Sequence, residues 1–282
     1  MVNESPDSPP HHTHRAPRRR RLALFIVLVL VLVVAAAILV PLLTRGSEVE
    51  RARPLVIPEG RRASQVYAAV DRALSVASGT TEKAAAASGL PLPAEANGNP
   101  EGYLFPATYP VTSRTTPQGL LRYMVDTAVE RFGADHITTG ARRNGVSVYR
   151  TVTIASIVQA EADTDHDMGK VARVIYNRLD RGMPLQMDST LNYALNRSSL
   201  DTTTGDTKID SPYNSYERSG LPPTPIGNPG EQATTAAITP TPGPWLYFVT
   251  VAPGDTRFTS SYAEQQRNVE EFNRARRSES RG

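Results

Sequence analysis

The pattern of hydrophobic positions along this chain shows one long apolar run, residues 22–43, which contains no charged side chain. At ~1.5 Å per residue, a helix of this length crosses the ~30 Å hydrocarbon layer of a membrane. Four arginines directly precede the run, so the positive-inside rule places residues 1–21 in the cytoplasm and the later residues on the outer side. A cleaved signal peptide is the alternative, with Ala35 to Ala37 as its small residues. Further apolar residues follow these alanines, and they favour a retained anchor.

Beyond a charged stalk at residues 44–53, the pattern changes to short elements separated by turns. It predicts a small α/β module over residues 54–99, which ends in a loop rich in proline, glycine and asparagine. The predicted elements are a strand over 54–58, a helix from an N-cap at Ser64 to Leu74, and a second helix over 81–87.

Residues 100–277 show mostly amphipathic helical periodicity with one strand pair, which predicts a mixed α+β domain followed by a tail at 278–282. A polar segment ending at Gly145 and a segment dense in proline and glycine, 220–244, are predicted as loops. Long ordered loops of the second kind usually carry function. The predicted elements are helices over 117–133, 151–161, 168–181 and 262–277, and a hairpin over 245–259.

Glu161 occupies an unusual position in the central helical pattern. Ile154 and Val158 belong to its apolar stripe, and the next position on that stripe, seven residues after Ile154, is Glu161. Because positions i and i+7 differ by only ~20° of rotation, Glu161 shares the face that these residues bury. Desolvation there raises the pKa of a carboxyl group, and general-acid catalysis requires a carboxylic acid that is still protonated. The alternative is an ordinary charged residue that closes an apolar stripe.

Composition narrows the possible chemistry. The net charge of +3 comes from the tail, where Arg15 and Arg18 to Arg21 outnumber Glu4 and Asp7, so the remaining residues are neutral and predict no nucleic-acid binding. The chain has no cysteine, which excludes thiol catalysis, cysteine-ligated metals and disulfide stabilisation. The motifs G-x-x-x-x-G-K, H-E-x-x-H and S-x-x-K are also absent. Chemistry done by carboxylates remains.

Two polar clusters contain residue types that bind metals. His11, His12 and His14 lie in a proline-rich tail, where a solvated, disordered segment is the simpler explanation. Residues 163–167 contain three aspartates and His166, but Asp167 suits the N-cap of the next helix. The sequence therefore predicts neither a metal nor a cofactor.

Two further segments offer groups that suit a sugar ligand. Residues 184–190 follow the helix 168–181; Gln186, Ser189 and Thr190 in this segment provide hydrogen-bonding groups for hydroxyls, and Asp188 suits the N-cap of a short helix. Residues 101–111 contain three aromatic residues, which predict either plain core or the wall of a cleft where aromatic faces stack on sugar rings.

The chain resembles the endolytic murein transglycosylase family (MltG, YceG-like), membrane-anchored enzymes that cut the glycan strands of peptidoglycan. The resemblance extends from about Pro54 to Phe272 and is carried, in this order, by EGYLFPATY, ASIVQAEA, VIYNRL, GMPLQMDST, SPYNSY, GLPPTPIGNPG and WLYFV. By this resemblance Glu161 is the catalytic glutamate. The candidate lining of the glycan cleft is Gln186, Asp188, Ser189, Thr190, Tyr213 and Asn214.

The resemblance also implies a reaction and partners. It implies a single-pass membrane enzyme with a truncated LysM-like module, which cleaves between N-acetylmuramic acid and N-acetylglucosamine in nascent strands and leaves 1,6-anhydro ends. Expected partners are glycan strands, the lipid bilayer through residues 22–43, penicillin-binding proteins and other wall-synthesis proteins. A hydrolytic muramidase with Asp188 as second carboxylate, or a non-catalytic glycan-binding scaffold, are the alternatives.

The sequence departs from the family pattern in two places. Gln159 stands where the family commonly has a further glutamate, and side chains at i and i+2 of a helix diverge by ~200°, so this group should lie on another face. The LysM-like region is also shorter than usual, since only the part from about Pro54 is present. The grip on glycan is then weaker or supplied by a partner.

Overall fold

The structure is a computed structural model that describes residues 18–44, 52–162, 164–197 and 203–279. The chain divides into two compact units, residues 1–51 and residues 52–282. The described part of the first unit is one helix, α1 (Arg18–Thr44), and the second unit contains the strands and the remaining helices.

Helix α1 includes the apolar run that was predicted to cross a membrane. Among the residues whose side chains are described, no helix combines the length and the apolarity needed to span a bilayer. Residues 1–17 and 45–51, and the side chains at both ends of the apolar run, lie outside the described residues. The anchor over 22–43, the cytoplasmic tail and the stalk therefore stay predictions.

The second unit begins with a two-stranded antiparallel sheet whose strands enclose two helices in the sequence. Strand β1 (Arg53–Val56) pairs with strand β2 (Thr108–Val111), and helices α2 (Ala63–Leu74) and α3 (Thr80–Ala87) lie between them in the chain. Helix α4 (Pro117–Gly133) packs against α2 and α3. The shared core contains Ile57, Val66, Val70, Leu104, Tyr109, Leu121 and Met124.

Helix α6 (Val148–Glu161) is the centre of the remaining structure and is buried along almost its whole length. It packs against α5 (Asp135–Arg143), α7 (Asp165–Asp180), α8 (Asp188–Ala194) and α9 (Glu231–Ile238). Polar groups on a helix that others surround need partners within the protein, and the hydroxyls of Thr151, Thr153 and Ser156 donate to carbonyls about one turn earlier in α6.

The chain closes with the predicted hairpin and helix. Strands β3 (Tyr247–Ala252) and β4 (Asp255–Thr259) pair antiparallel, and α10 (Tyr262–Glu279) packs against both. Short 3₁₀ turns lie at Ala94–Ala96 and Asp206–Lys208. The predicted α+β class is confirmed. The predicted domain boundary between residues 99 and 100 stays a prediction; strand β1 lies before this boundary and pairs with strand β2, which lies after it.

The structure corrects three predicted helix starts. The N-cap of α2 is Arg62 rather than Ser64, that of α7 is Thr164 rather than Asp167, and that of α8 is Met187 rather than Asp188. In α7 the hydroxyl of Thr164 accepts a hydrogen bond from the Asp167 backbone N–H at 3.2 Å. A hydroxyl placed three residues earlier does the same capping work as the carboxylate, and the sequence pattern alone does not rank the two.

Helices α5 and α9 replace predicted loops. The apolar positions of α5 lie on one face but are few, with Ile137 and Ala141 as buried members, so the segment is typical of a polar loop. Helix α9 is short and lies within a segment dense in proline and glycine, but its small side chains Ala233 and Ala237 allow close packing against α6 and α7. Tertiary packing stabilises both helices where local signals do not.

Candidate active site

Glu161 is the last residue of α6, at the end of the buried stripe formed by Ile154 and Val158. The helix starts at Ser147, whose hydroxyl accepts a hydrogen bond from the Arg150 N–H, and it ends at Ala162 in an extended conformation. The end of a rigid, enclosed helix fixes the backbone of Glu161, while the residue itself is only half-buried. The carboxyl group is therefore attached to a backbone position that the helix holds in place.

The carboxyl group of Glu161 has one backbone donor. The N–H of Ser189, in the first turn of α8, donates to Oε1 of Glu161 at 3.1 Å. Burial is the main influence on this carboxyl group and raises its pKa; Ser189 opposes the rise and nearby Asp188 adds to it. The raised pKa that the stripe position predicted is thus present in the structure.

Asp188 has a different environment from its neighbour Glu161. The hydroxyl of Tyr216 donates a hydrogen bond to Oδ1 of Asp188. Burial and this contact with Asp188 raise the pKa of the Tyr216 hydroxyl, which therefore stays protonated and remains a donor. Asp188 thus has a fixed partner in Tyr216 instead of the capping role that its position suggested.

Besides its backbone N–H, Ser189 contributes a side-chain hydroxyl to the surroundings of Glu161. Its Oγ is buried and has no hydrogen-bond partner within the described part of the chain. The Ser189 side chain also lowers the pKa of Glu161, so it lies close to that carboxyl group. Ser189 thus joins Glu161, Asp188 and Tyr216 in one constellation.

Gln186 lies at the edge of this constellation and is exposed. Its backbone has φ 54, in the left-handed region, and its Oε1 accepts a hydrogen bond from Nη1 of Arg178 at 3.1 Å. Arg178 is buried and also donates to the carbonyls of Pro184, Leu185 and Leu246. Arg178 therefore fixes the segment that leads into α8.

Thr190 and Asn214 are fully buried and do not line a cleft. The hydroxyl of Thr190 donates to the Met187 carbonyl at 2.8 Å, and the amide of Asn214 donates to the carbonyls of Thr207 and Ile209. A side chain without accessible surface has no contact area for a strand. We therefore correct the prediction for these two residues, which support the loops behind the site.

Tyr213 is half-buried and forms a separate aromatic group with Tyr193 of α8. The two ring centroids are 4.9 Å apart, and the Tyr213 hydroxyl lies 2.8 Å from Oγ1 of Thr224. The Tyr193 hydroxyl donates to Oε2 of Glu101 at 3.1 Å. Of the predicted lining residues, the structure thus places Asp188 and Ser189 next to Glu161. Tyr213 and Gln186 lie farther from Glu161.

The aromatic segment 101–111 belongs to the core. Tyr103, Phe105 and Tyr109 are all buried, and Phe132 of α4 packs edge-on against the first two rings. The prediction of a wall for stacking sugars is therefore wrong for these rings. They are needed where α4 and α6 meet, away from any surface.

Gln159 is directed away from Glu161, as the helix geometry predicted. Its Oε1 accepts a hydrogen bond from the Gly230 N–H at 2.9 Å, at the start of α9. The amide thus connects two helices. Among the residues described, the structure shows no direct contact between Gln159 and Glu161.

Asn228 is a central residue that the sequence analysis missed. Its backbone carbonyl accepts from the Gly60 N–H at 2.8 Å, its side-chain oxygen accepts from the Leu104 N–H at 2.7 Å, and its amide donates to the Arg61 carbonyl at 2.7 Å. The sequence signal that could have identified Asn228 was its position within GLPPTPIGNPG, one of the segments that carry the family resemblance. Tyr216 and Arg178 were missed too, although they lie in SPYNSY and VIYNRL.

The acidic connector between α6 and α7 forms helix contacts. Thr164 and Lys170 both approach the carboxylate of Asp167, at 3.0 Å and 3.6 Å. Across the residues that are described, no three acidic or histidine side chains come together as a metal site would require. Residue 163 lies outside the described residues.

The model of the YceG-like family matches residues 34–271. The endolytic murein transglycosylase of Bacillus subtilis is 37% identical over 176 residues, which is 61% of this chain and 48% of that protein. The endolytic murein transglycosylase of Streptococcus pneumoniae D39 is 37% identical over 177 residues, 61% of this chain and 32% of that protein. The chain thus spans about half or less of the length of these relatives.

A solved structure supports the fold. The 2.6 Å crystal structure of a yceG-like protein from Listeria monocytogenes is similar with a TM-score of 0.65 and 29% sequence identity. The similarity covers 77% of this chain and 75% of that one. The overall fold of this chain is therefore similar to that of a protein described as yceG-like.

Proposed function

Because this chain belongs to the YceG-like family, we propose that it is an endolytic lytic transglycosylase of peptidoglycan. It would cleave nascent strands between N-acetylmuramic acid and N-acetylglucosamine and leave 1,6-anhydro ends. The names of its relatives from Bacillus subtilis and Streptococcus pneumoniae support this proposal. The observation that carries it is a single carboxyl group, Glu161, with its pKa raised by burial at the end of a rigid helix.

Glu161 performs both proton transfers in the proposed mechanism. The protonated carboxyl group first donates its proton to the departing glycosidic oxygen, as the C–O bond to the anomeric carbon breaks. The resulting carboxylate then takes the proton of the muramyl 6-hydroxyl, whose oxygen bonds to the anomeric carbon. The enzyme ends in its starting protonation state, and no water is consumed.

The surrounding residues support these two steps. The Ser189 N–H stabilises the carboxylate that exists between the steps, and the nearby Ser189 side chain acts in the same direction. Asp188, which accepts the Tyr216 hydrogen bond, adds to the rise in the pKa of Glu161. The two neighbouring carboxyl groups thus have different roles because their partners differ.

A hydrolytic muramidase is the second candidate, because Asp188 lies beside Glu161 and paired carboxylates are typical of glycoside hydrolysis. The Tyr216 hydroxyl donates to one oxygen of Asp188, so that oxygen already has a partner before any water or sugar approaches it. A non-catalytic scaffold is less well supported, because the relatives from Bacillus subtilis and Streptococcus pneumoniae are named as transglycosylases.

Product analysis separates these functions. The proposed reaction leaves muramyl ends lighter than hydrolytic ends by one water, resistant to borohydride and unlabelled when digestion takes place in ¹⁸O-water. The Asp188→Asn variant should keep part of the activity, because the residue only tunes Glu161. Reducible, ¹⁸O-labelled ends together with an inactive Asp188→Asn variant would establish the muramidase, and an intact substrate would favour the scaffold.

The membrane arrangement is part of the same proposal. We propose that residues 22–43 anchor the protein with its N-terminus in the cytoplasm and residues 52–282 outside. In support, the large apolar side chains of α1 from Val27 to Val34 are all at least 43% exposed, and such a surface needs an apolar surrounding.

Penicillin-binding proteins and other wall-synthesis proteins are the proposed partners, and the small α/β module at 54–99 is proposed to be LysM-like.

A further inference from the structure

A cavity of about 470 Å³ lies between the first helices of the second unit and α8. Its walls come from α2, α3, the loop 98–101 and the end of α8, and Glu161 is not among its lining residues. The lining residues with polar or aromatic groups are Arg62, Tyr67, Glu82, Asn99, Glu101, Tyr193 and Asn196. The cavity is thus distinct from the constellation around Glu161.

Glu101 holds the two sides of this cavity together. It is 3% exposed; its Oε1 accepts a hydrogen bond from the Ala63 N–H at 2.9 Å, and its Oε2 accepts from the Tyr193 hydroxyl at 3.1 Å. The guanidinium of Arg62 lies 5.3 Å from the centre of the Tyr193 ring and donates to the Arg197 carbonyl at 2.8 Å. The walls are therefore preorganised before any ligand binds.

Helix α8 connects the cavity with Glu161. Ser189, which donates to Glu161, and Tyr193, which lines the cavity, are four residues apart. Residues four apart share a helix face and are separated by about one turn, ~6 Å along the axis. A strand with its scissile bond at Glu161 that follows α8 would therefore reach the cavity within a short distance.

We propose that this cavity is a subsite for one neutral N-acetylated sugar ring of the strand, outside the bond that is cleaved; this rests on the proposed function. Carboxylates and amides suit sugar hydroxyls and an acetamido group, and tyrosine rings offer apolar faces with polar edges. The one cation among the lining residues, Arg62, already has two partners. The lining therefore offers no free cation to the carboxylates of a stem peptide, the other part of the substrate.

Two neighbouring alanines of α3 provide a matched pair of variants. Ala86 and Ala87 are both exposed, but only Ala86 lines the cavity. Ala86→Trp should fill the cavity without disturbing the core, and Ala87→Trp is the control with the same added surface. Both are made in the full-length chain with Glu161→Gln, and thermal unfolding confirms that each is folded.

Calorimetric binding of an N-acetylglucosamine tetramer is the readout. We expect Ala86→Trp to weaken binding about tenfold or more, the equivalent of one or two lost hydrogen bonds, and Ala87→Trp to leave it unchanged. Equal affinity of both variants and the parent, no binding by the parent, or displacement only by a free stem peptide would each overturn the subsite. These outcomes do not depend on catalysis, so failure of the proposed function, seen as uncut strands with the unmutated chain, remains distinguishable.

Discussion

At Glu161, a buried stripe ends in a titratable group that has one backbone donor and an anionic neighbour. Burial alone raises the pKa of such a group, and Asp188 adds to this because two nearby negative charges repel. The N–H of Ser189 limits the rise, so the group can both lose and regain a proton. This balance suits a residue that serves first as acid and then as base.

Glu161→Gln tests this role directly. The amide keeps the size of the side chain and accepts the Ser189 hydrogen bond, but it has no proton to give, so turnover of peptidoglycan strands should fall by ~10²–10⁴. Thermal stability should be unchanged or higher, because the cost of burying a carboxyl group is removed. Glu130→Gln, on the exposed surface of α4, is the control and should retain full activity. Equal losses in both variants would contradict the assignment.

Glu101 predicts a pH dependence of stability. Burial, the largest influence, raises its pKa from 4.5 to about 7 against the opposing effects of the Ala63 N–H, Tyr193 and Arg62. The folded state therefore binds the proton more tightly, so this stabilisation is complete below about pH 4.5 and is lost as the pH rises to about 7. Glu101→Gln removes the effect, which is up to about 3 kcal/mol.

Urea unfolding of the parent and of Glu101→Gln at about pH 4 and about pH 8 measures this effect. The difference in unfolding free energy should move in favour of the variant at the higher pH. Glu161 contributes a slope of the same sign, but it is present in both proteins and cancels in the comparison. A constant difference across this range would show that Glu101 titrates normally.

At the scale of elements, periodicity identified the parts that pack amphipathically and missed those held by their surroundings. Helices α4, α7 and α10 and the hairpin follow from apolar spacing, whereas α5 and α9 do not, because their stability comes from neighbours rather than from their own pattern. The same holds for the site. Glu161 was identifiable from its stripe, but the pairing of Asp188 with Tyr216, 28 residues later, depends on a loop path that spacing does not encode.

The cap of α7 offers a test at this scale. Thr164→Ala removes the hydroxyl that accepts from the Asp167 N–H, so the free energy of unfolding should fall by about 1 kcal/mol. Asp165→Ala, in the same first turn, lacks that contact and should cost less. Chemical denaturation of both variants measures the difference, and the reverse order would return the capping role to a carboxylate.

At the scale of the whole molecule, the proposed arrangement divides the chain between two sides of a membrane. Protease added to intact spheroplasts should remove an epitope placed at Gly282 and spare one placed at Met1, because of the arginines that precede residue 22. Permeabilised cells provide the control, in which both epitopes are lost. The opposite pattern in intact spheroplasts would reverse the orientation, and a mature protein without the N-terminal epitope would indicate cleavage.

The three segments that meet at Asn228 should also open together when the structure fluctuates. The amides of Gly60, Leu104 and Asn228 are far apart in the sequence, yet all three take part in hydrogen bonds at this one crossing. An opening that frees one of these amides removes a partner from the others, so the three belong to one cooperative unit. In deuterated water they should therefore exchange with a common opening free energy, higher than their separate loops would suggest, and Asn228→Ala should lower it for all three together.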